Sequence, residues 1–214
     1  MTIEIKDMEG NLISTLNPGK SKGINIVSWP AKIKNPKIAK GKTFTFGGFA
    51  TPRVPAGKYK AIITKGKDVF EHTFEVIDDE RTELTGAERT FKHKTTMELY
   101  DMTQELAYMV YKLDAILESS SIKKKVKTSL TTLKETLVIT TGNNYADASE
   151  PQLREKMGDL YSKVATSYDK PSNNELENLK TIKTRFNKAK ADFAKLEKKA
   201  KDVPFKAYQE FIDE

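Results

Sequence analysis

The hydrophobic periodicity of this chain changes once, at the acidic stretch Asp78-Asp79-Glu80, and this change limits the possible folds more than any other feature. Before it, apolar residues such as Ile3 and Ile5 alternate with polar ones, which is the period of a half-buried strand. From about residue 86 the apolar residues recur every three or four positions, which is the period of an amphipathic helix. The sequence therefore predicts an α+β protein of two domains, a β-domain over residues 1–80 and a helical domain over residues 81–214.

The first domain divides into about six short apolar segments separated by turn residues. Strands are predicted near residues 3–5, 11–16, 23–29, 43–46, 58–65 and 69–77. Gly10 can adopt a positive φ, so the first two segments are expected to form a hairpin, and Gly66 occupies the equivalent position in the last pair. Several short strands joined by turns are typical of a β-sandwich, and we predict a small Ig-like β-sandwich.

The second domain carries four apolar stripes. The first has a 3-4-3-4-3 spacing that places all its members on one face of a long helix: Leu99, Met102, Leu106, Met109, Leu113 and Ile116. Further helices are predicted over residues 122–137, 153–164 and 176–196, with Gly142 and residues 143–148 ending the second. Capping boxes are expected at Ser149 with Gln152 and at Ser172 with Glu175. Short connections favour an antiparallel, up-down-up-down four-helix bundle.

Two tyrosines of the first predicted helix, Tyr108 and Tyr111, fall partly off its apolar stripe. We expect them to pack on the β-domain or on a neighbouring domain outside this sequence.

The composition argues against several classes of enzyme. The chain has no cysteine, which excludes disulfides, thiolate metal sites and cysteine nucleophiles. Its two histidines, His72 and His93, lack a second ligand at a metal-binding spacing, and Gly47-Gly48 leads into Phe49 instead of a phosphate-binding Gly-Lys-Ser/Thr. We therefore predict a non-enzymatic protein with no catalytic residue, metal or cofactor. No apolar run reaches the length of a membrane span.

The strongest charge feature lies between residues 20 and 67, which hold twelve Lys and Arg and no acidic residue. Aromatic residues are interleaved with these cations, a pattern that can bind polyanions through charge neutralisation and ring stacking. The candidate polyanion-binding residues are Lys32, Lys34, Lys37, Lys40 and Lys42. The favoured alternative is that the aromatic residues fill the sandwich core while the lysines solvate its outer face. An acidic glycan or a neighbouring acidic domain is the expected ligand if the lysines bind one, and nucleic acid is not expected.

A series of short motifs along residues 3–81 carries a likeness to a known family. In chain order they are Ile5-Lys6-Asp7 with Gly10-Asn11, Gly23-Ile24-Asn25 leading to Trp29, Val54-Pro55-Ala56-Gly57-Lys58-Tyr59, and Val76-Ile77-Asp78 before Arg81. This order resembles the C-terminal region of large secreted BNR-repeat proteins of bacteria, which are glycosyl-hydrolase-like β-propellers of the sialidase or sortilin type. The sequence departs from that family at Pro30, where the family tends to have Asp, and at Glu80, where it tends to have Pro.

The resemblance implies an Ig-like domain and a helical region that follow propellers absent from this sequence. Its expected function is that of a non-catalytic accessory module, a spacer or docking element whose partners are the upstream propeller domains of the same full-length chain. Because the chain opens directly on a strand pattern without a signal peptide, we expect it to be a fragment of a secreted, periplasmic or cell-surface protein. The alternative function is a binding module for acidic glycan or another polyanion, acting through the lysines between residues 20 and 67.

Overall fold

A computed structural model describes residues 1–19, 21–141, 149–200 and 202–214. The chain forms two compact units. The β-unit comprises Met1–Asn35 and Thr51–His93, and the helical unit comprises Pro36–Ala50 and Lys94–Glu214. Pro36–Ala50, predicted to belong to the β-domain with a short strand at residues 43–46, therefore clusters with the helices.

The β-unit contains one antiparallel sheet. Its strands are β1 (Thr2–Lys6), β2 (Leu12–Leu16), β3 (Gly57–Lys65) and β4 (Asp68–Val76), arranged in the order β2-β1-β3-β4. Both predicted hairpins are confirmed, and Gly10 and Gly66 have the positive φ angles of +91° and +63° that their turns require. β1 also pairs with β3, which joins the two hairpins into one sheet.

The core of the β-unit lies on one face of this sheet. Ile5 and Tyr59 are buried there, and the Trp29 ring packs edge-on against Tyr59 and Phe74 at centroid distances of 5.7 and 5.8 Å. The indole nitrogen of Trp29 donates a hydrogen bond to the Lys32 carbonyl at 3.0 Å. The layer opposite the sheet is therefore built around Trp29 by chain without regular strands.

The predicted Ig-like β-sandwich is wrong, because the described residues form a single four-stranded sheet with no second sheet. Neither predicted strand at residues 23–29 or 43–46 is present. Gly23 has a φ of +98°, and the Asn25 side chain bonds to the carbonyls of Ser21 and Gly23, which gives the backbone a local alternative to a strand ladder. Ile24 is left 95% exposed, so the alternating pattern there does not mark a buried face.

The helical unit contains five helices among the described residues: α1 (Gly86–Glu118), α2 (Lys124–Leu137), α3 (Leu153–Thr166), α4 (Asn173–Glu197) and α5 (Tyr208–Asp213). The first turns of α1, up to His93, belong to the β-unit. Every member of the predicted stripe of α1, from Leu99 to Ile116, is buried, as the spacing predicts.

The start signals of two helices are partly as predicted. The capping box of α4 is confirmed, with the Ser172 hydroxyl accepting from the Glu175 backbone N–H and the Glu175 carboxylate accepting from Ser172. The capping box of α3 is displaced, since Gln152 is its N-cap and pairs with Glu155 instead of Ser149. The prediction that Gly142 ends the second helix is wrong, because α2 ends at Leu137 and Val138 is already extended. Gly142 itself and the predicted loop 143–148 lie outside the described residues.

The predicted up-down-up-down bundle is also wrong, because α1 and α4 run parallel. Three ion pairs join these helices: Glu98–Lys183, Glu105–Lys190 and Lys112–Glu197. The pairs advance by seven residues on both helices in the same direction, and the first and last are 2.5 and 2.6 Å long. In an up-down-up-down bundle the first and fourth helices are antiparallel. Residue numbers would then rise on one helix as they fall on the other, and the three ion pairs could not form together.

The C-terminal segment covers the two tyrosines that fall off the stripe of α1. The Tyr108 hydroxyl donates to the Lys206 carbonyl at 2.6 Å, and the Tyr111 ring stacks on Phe211 at 5.0 Å. These tyrosines therefore pack on the chain's own last residues, a contact that the sequence did not predict. Among the described residues, no helix has the length and apolarity to cross a membrane.

Candidate anion-binding site

The segment Pro36–Ala50, here called the inserted segment, packs against α3 with a regular division of its side chains. Three small residues point into the helical unit and are buried: Thr45, Gly47 and Ala50. Three large apolar residues lie outside: Phe44, Phe46 and Phe49, which are 36%, 59% and 71% exposed. A 3-10 turn at Phe46–Gly48 lies within this stretch. The packing is thus made by the small side chains, and the aromatic rings are left on the surface.

A buried arginine of α3 holds the backbone of the inserted segment. Arg154 donates from Nε to the Ala39 carbonyl at 2.7 Å and from Nη1 to the Thr43 carbonyl at 3.1 Å. Its charge is matched by Glu155, whose Oε1 lies 2.7 Å from Nη1 and also accepts from the Thr43 hydroxyl at 2.9 Å. Removing one member of such a buried pair leaves an uncompensated charge, at a cost of about 3–5 kcal/mol.

Two further residues of α3 complete the attachment. Gly158 and Gly47 are in backbone contact, since a Cβ on Gly47 would lie 2.9 Å from the Gly158 Cα. The Tyr161 hydroxyl donates to the Ala50 carbonyl at 2.8 Å, and its burial raises the pKa of the phenol. Arg154, Gly158 and Tyr161 stand at positions i, i+4 and i+7, so they form one stripe along α3. This stripe holds the inserted segment at Ala39, Thr43, Gly47 and Ala50.

The stripe of Arg154, Gly158 and Tyr161 was not predicted from the sequence, because the prediction of this helix used only the apolar stripe beside it. The apolar stripe of α3 includes Leu153, Met157 and Leu160, and each of the three attachment residues follows one of them by a single position. An arginine, a glycine and a tyrosine at helical spacing give a visible signal that something other than solvent covers that face. The signal does not identify the segment, which lies more than 100 residues earlier in the chain.

A shallow pocket of about 220 Å³ lies beside the inserted segment. Its lining combines three lysines with the last residues of α2 and their continuation: Lys40, Gly41, Lys42, Lys134, Val138, Ile139 and Thr140. The Lys42 backbone N–H donates to the Ile139 carbonyl at 3.0 Å, which holds the two walls together. Lys134 also pairs with Asp114 at 2.6 Å, so Lys40 and Lys42 supply most of the positive charge. Both of these lysines are exposed.

The five candidate lysines have different surroundings. Lys40 and Lys42 line the same pocket. Lys37 is half-buried, and its ammonium lies 4.9 Å from the centre of the Phe211 ring, which is a cation–π distance. Lys32 and Lys34 belong to the β-unit, where Lys32 forms an isolated β-bridge with Arg53. Within the helical unit, the inserted segment therefore contributes two lysines to a site open to a ligand.

The aromatic residues of the cationic region divide into two groups, one buried in a core and one exposed on the surface. Trp29 and Tyr59 fill the core of the β-unit, as the core-packing interpretation expects. Phe44, Phe46 and Phe49 instead form a surface cluster, with Phe46 edge-on to Phe44 at 5.0 Å and Phe49 stacked on Phe44 at 5.2 Å. The exposed cluster and the two exposed lysines lie on one fifteen-residue segment without an acidic residue.

The other chemical candidates have local roles. Both oxygens of the Asp7 carboxylate accept hydrogen bonds from Asn11 across the first hairpin turn, and these bonds lower the pKa of Asp7. His72 is exposed on β4, while His93 in α1 is half-buried, and burial lowers the pKa of its imidazole. Within the described ranges, no group of three or more His, Asp or Glu side chains is arranged to hold a metal ion.

A larger groove of about 440 Å³ runs between α2 and α4. Its floor includes Leu133, Leu137 and Ala189, and its rim carries Arg185, Lys188 and Asp192. Because opposite charges meet on this rim, the groove does not select the charge of a ligand. The pocket at Lys40 and Lys42 has no acidic residue in its lining and is the better candidate for an anion.

No protein-family model matches the chain, and comparisons with the curated proteins and with the solved structures found no match.

Proposed function

We propose that this chain is a non-catalytic interaction module that binds an anionic partner through the inserted segment. The observation that carries the proposal is the division of that segment into buried small residues and exposed Phe and Lys residues, with its backbone fixed by Arg154 and Tyr161. Exposing three aromatic rings on an attached segment is unfavourable in water unless a partner covers them. A fixed backbone also lowers the entropy lost on binding.

The positive charge supports an anionic partner. Lys40 and Lys42 line a pocket without acidic residues, and the stretch from residue 20 to residue 67 contains twelve cations and no acid. An anion at this pocket would gain two charge-assisted contacts and an apolar wall from Val138 and Ile139. Steering by the same charges would also speed association.

The wider context proposed for the module rests on the motif order of residues 3–81. In that context it is a C-terminal accessory element of a larger secreted β-propeller protein, and the anionic partner docks the assembly. Turnover of an aryl glycoside by the purified chain would contradict the non-catalytic part of the proposal.

Heparin affinity tests the binding site. The double variant Lys40→Glu/Lys42→Glu is expected to bind heparin about tenfold more weakly than wild type, because two ion contacts become repulsive. The matched control, Lys124→Glu/Lys125→Glu, makes the same change in net charge with two exposed lysines at the start of α2. Equal losses in the two variants would mean that only net charge matters, and the proposed site would be wrong.

A further inference from the structure

The exposed cluster of Phe44, Phe46 and Phe49 narrows the class of the anionic partner. Their rings touch one another at 5.0 and 5.2 Å and form one apolar patch. The patch is held in place because the intervening Thr45 and Gly47 are buried against α3. It therefore presents a fixed apolar surface on the same fifteen-residue segment that carries the exposed Lys40 and Lys42.

We infer that the anionic partner is the surface of an anionic lipid bilayer, with the three phenylalanines inserted at the headgroup–acyl boundary and Lys40 and Lys42 in contact with the headgroups. This inference rests on the proposed function of the inserted segment and identifies its partner. Peripheral membrane binding combines burial of apolar side chains with electrostatic attraction to anionic lipids. The inserted segment carries both, without an acidic residue to oppose the attraction.

The chemistry of the rings favours lipid over a sugar chain. Phenylalanine has no polar atom, whereas the tyrosine and tryptophan common at wet interfaces offer a hydrogen-bond donor beside the ring. A glycan has to replace its hydrogen bonds to water, and the three rings offer it none. An acyl chain makes no such demand, so three phenylalanines suit a bilayer better than a glycan.

The geometry of the rings also disfavours a single-stranded nucleic acid. Binding of bases depends on open aromatic faces on which they can stack. Phe44 and Phe49 stack on each other with an interplanar angle of 27°, and Phe46 meets Phe44 edge-on at 89°. The three rings therefore do not offer a row of parallel open faces on which successive bases could stack. Insertion into hydrocarbon depends only on apolar area and is unaffected by this arrangement.

Co-sedimentation with lipid vesicles tests the inference. Wild type is expected to bind vesicles of phosphatidylcholine and phosphatidylserine in equal parts, and to remain in solution with pure phosphatidylcholine. Phe46→Ser/Phe49→Ser is expected to weaken binding to the mixed vesicles by about tenfold or more, because two exposed rings no longer insert. The matched control, Val69→Ser/Phe70→Ser, removes two side chains of the β-unit that are 63% and 59% exposed, and should bind like wild type.

The heparin experiment separates failure of this inference from failure of the proposed function. If wild type does not bind the mixed vesicles while heparin binding still depends on Lys40 and Lys42, the bilayer is the wrong partner and the anionic site stands. Vesicle binding that is lost with Lys40→Glu/Lys42→Glu but kept with Phe46→Ser/Phe49→Ser also overturns the inference, because the rings then take no part. If the lysine variant changes neither heparin nor vesicle binding, both proposals fail. The circular dichroism of each variant should match that of wild type, and the Phe variant should keep its heparin affinity.

Discussion

Gly158 lies in the middle of α3, where glycine is ordinarily about 1 kcal/mol less favourable than alanine. Here the preference is expected to reverse. A Cβ on Gly158 would lie 2.1 Å from the buried Thr45 hydroxyl, and the glycine's own backbone already touches Gly47. Glycine at this position therefore lowers the intrinsic stability of the helix but allows close contact with the inserted segment.

The substitution Gly158→Ala is expected to lower the free energy of unfolding by about 1–3 kcal/mol, because the added methyl group overpacks this contact. Urea unfolding followed by circular dichroism would measure the change. The control is Asp159→Ala, which puts alanine at the next, exposed position of the same helix and should be neutral or slightly stabilising. A Gly158→Ala variant as stable as the control would show that the segment can move away from α3 without cost.

At this scale the sequence predicts the residues of local turns better than those of long-range contacts. Gly10, Ser172 and Glu175 act within a few residues of themselves, and their roles follow from turn and capping chemistry. Gly158 and Arg154 act on residues more than 100 positions away, and nothing in their neighbours specifies that partner.

Among the elements, the pairing of α1 with α4 is the clearest departure from prediction. The seven-residue spacing of Glu98, Glu105 and Lys112 fixes one face of α1, and Lys183, Lys190 and Glu197 have the same spacing on α4. In a parallel alignment, opposite charges face each other at all three positions. An antiparallel alignment would oppose Glu98 to Glu197, which have like charge.

A charge exchange on the first pair tests this register. Glu98→Lys is expected to destabilise the protein by about 0.5–1 kcal/mol, since both partners are partly exposed, and Glu98→Lys/Lys183→Glu should recover most of the loss. Urea unfolding at low salt would measure the coupling, which high salt should weaken.

The matched control for the charge exchange places the second substitution in the next ion pair, Glu105–Lys190. Glu98→Lys/Lys190→Glu makes the same change in composition but opposes Lys183 with a lysine and Glu105 with a glutamate. It should be less stable than Glu98→Lys alone. Recovery in this variant would contradict the parallel register.

The helices α1 to α4 were predictable because each has an apolar stripe. Their relative directions were not, because the spacing of a stripe is the same from either end of the helix. The short connections suggested antiparallel neighbours, a rule that describes α2 folding back so that Lys134 reaches Asp114 of α1. The rule does not fix the direction of α4 relative to α1, because these two helices are not adjacent in sequence. In the β-unit, the strands at both hairpins followed from alternation and turn residues, whereas Ile24 and Ile26 alternate without being buried.

For the molecule as a whole, the change of period predicts two domains that divide at residue 80, whereas the compact units divide after His93 and residues 36–50 cluster with the helices. Residues 36–50 carry Pro36, Gly41, Gly47 and Gly48, which predict loop but give no indication of which unit the loop joins. Their packing depends on a stripe of α3 that forms only in the folded chain. The candidate lysines were therefore identified by charge alone, and Lys40 and Lys42 are the two of the five that line the pocket beside the inserted segment.

Two buried tyrosines give the helical unit a characteristic response to high pH. Burial raises the pKa of Tyr100 to about 12 and raises that of Tyr161, whose ring lies 6.3 Å from Tyr100. In the unfolded chain both phenols ionise near pH 10, below the pKa of Tyr100 in the folded protein. Between these values the unfolded state releases protons that the folded state retains, so stability is fully present below pH 10 and is lost as the pH rises further.

The free energy of unfolding of the helical unit is accordingly expected to fall above about pH 10, by roughly 1.4 kcal/mol per pH unit for each buried tyrosine. Tyr161→Phe should reduce this slope by the contribution of one buried phenol, about 1.4 kcal/mol per pH unit. It should also cost about 1 kcal/mol at neutral pH, because the hydrogen bond to Ala50 that holds the inserted segment is lost. The control is Tyr168→Phe, which removes a phenol that is 74% exposed and should keep the wild-type slope. Urea titrations from about pH 8 to about pH 11.5 would measure both effects. An unchanged slope in Tyr161→Phe would mean that this phenol is hydrated in the folded protein and does not fix the segment.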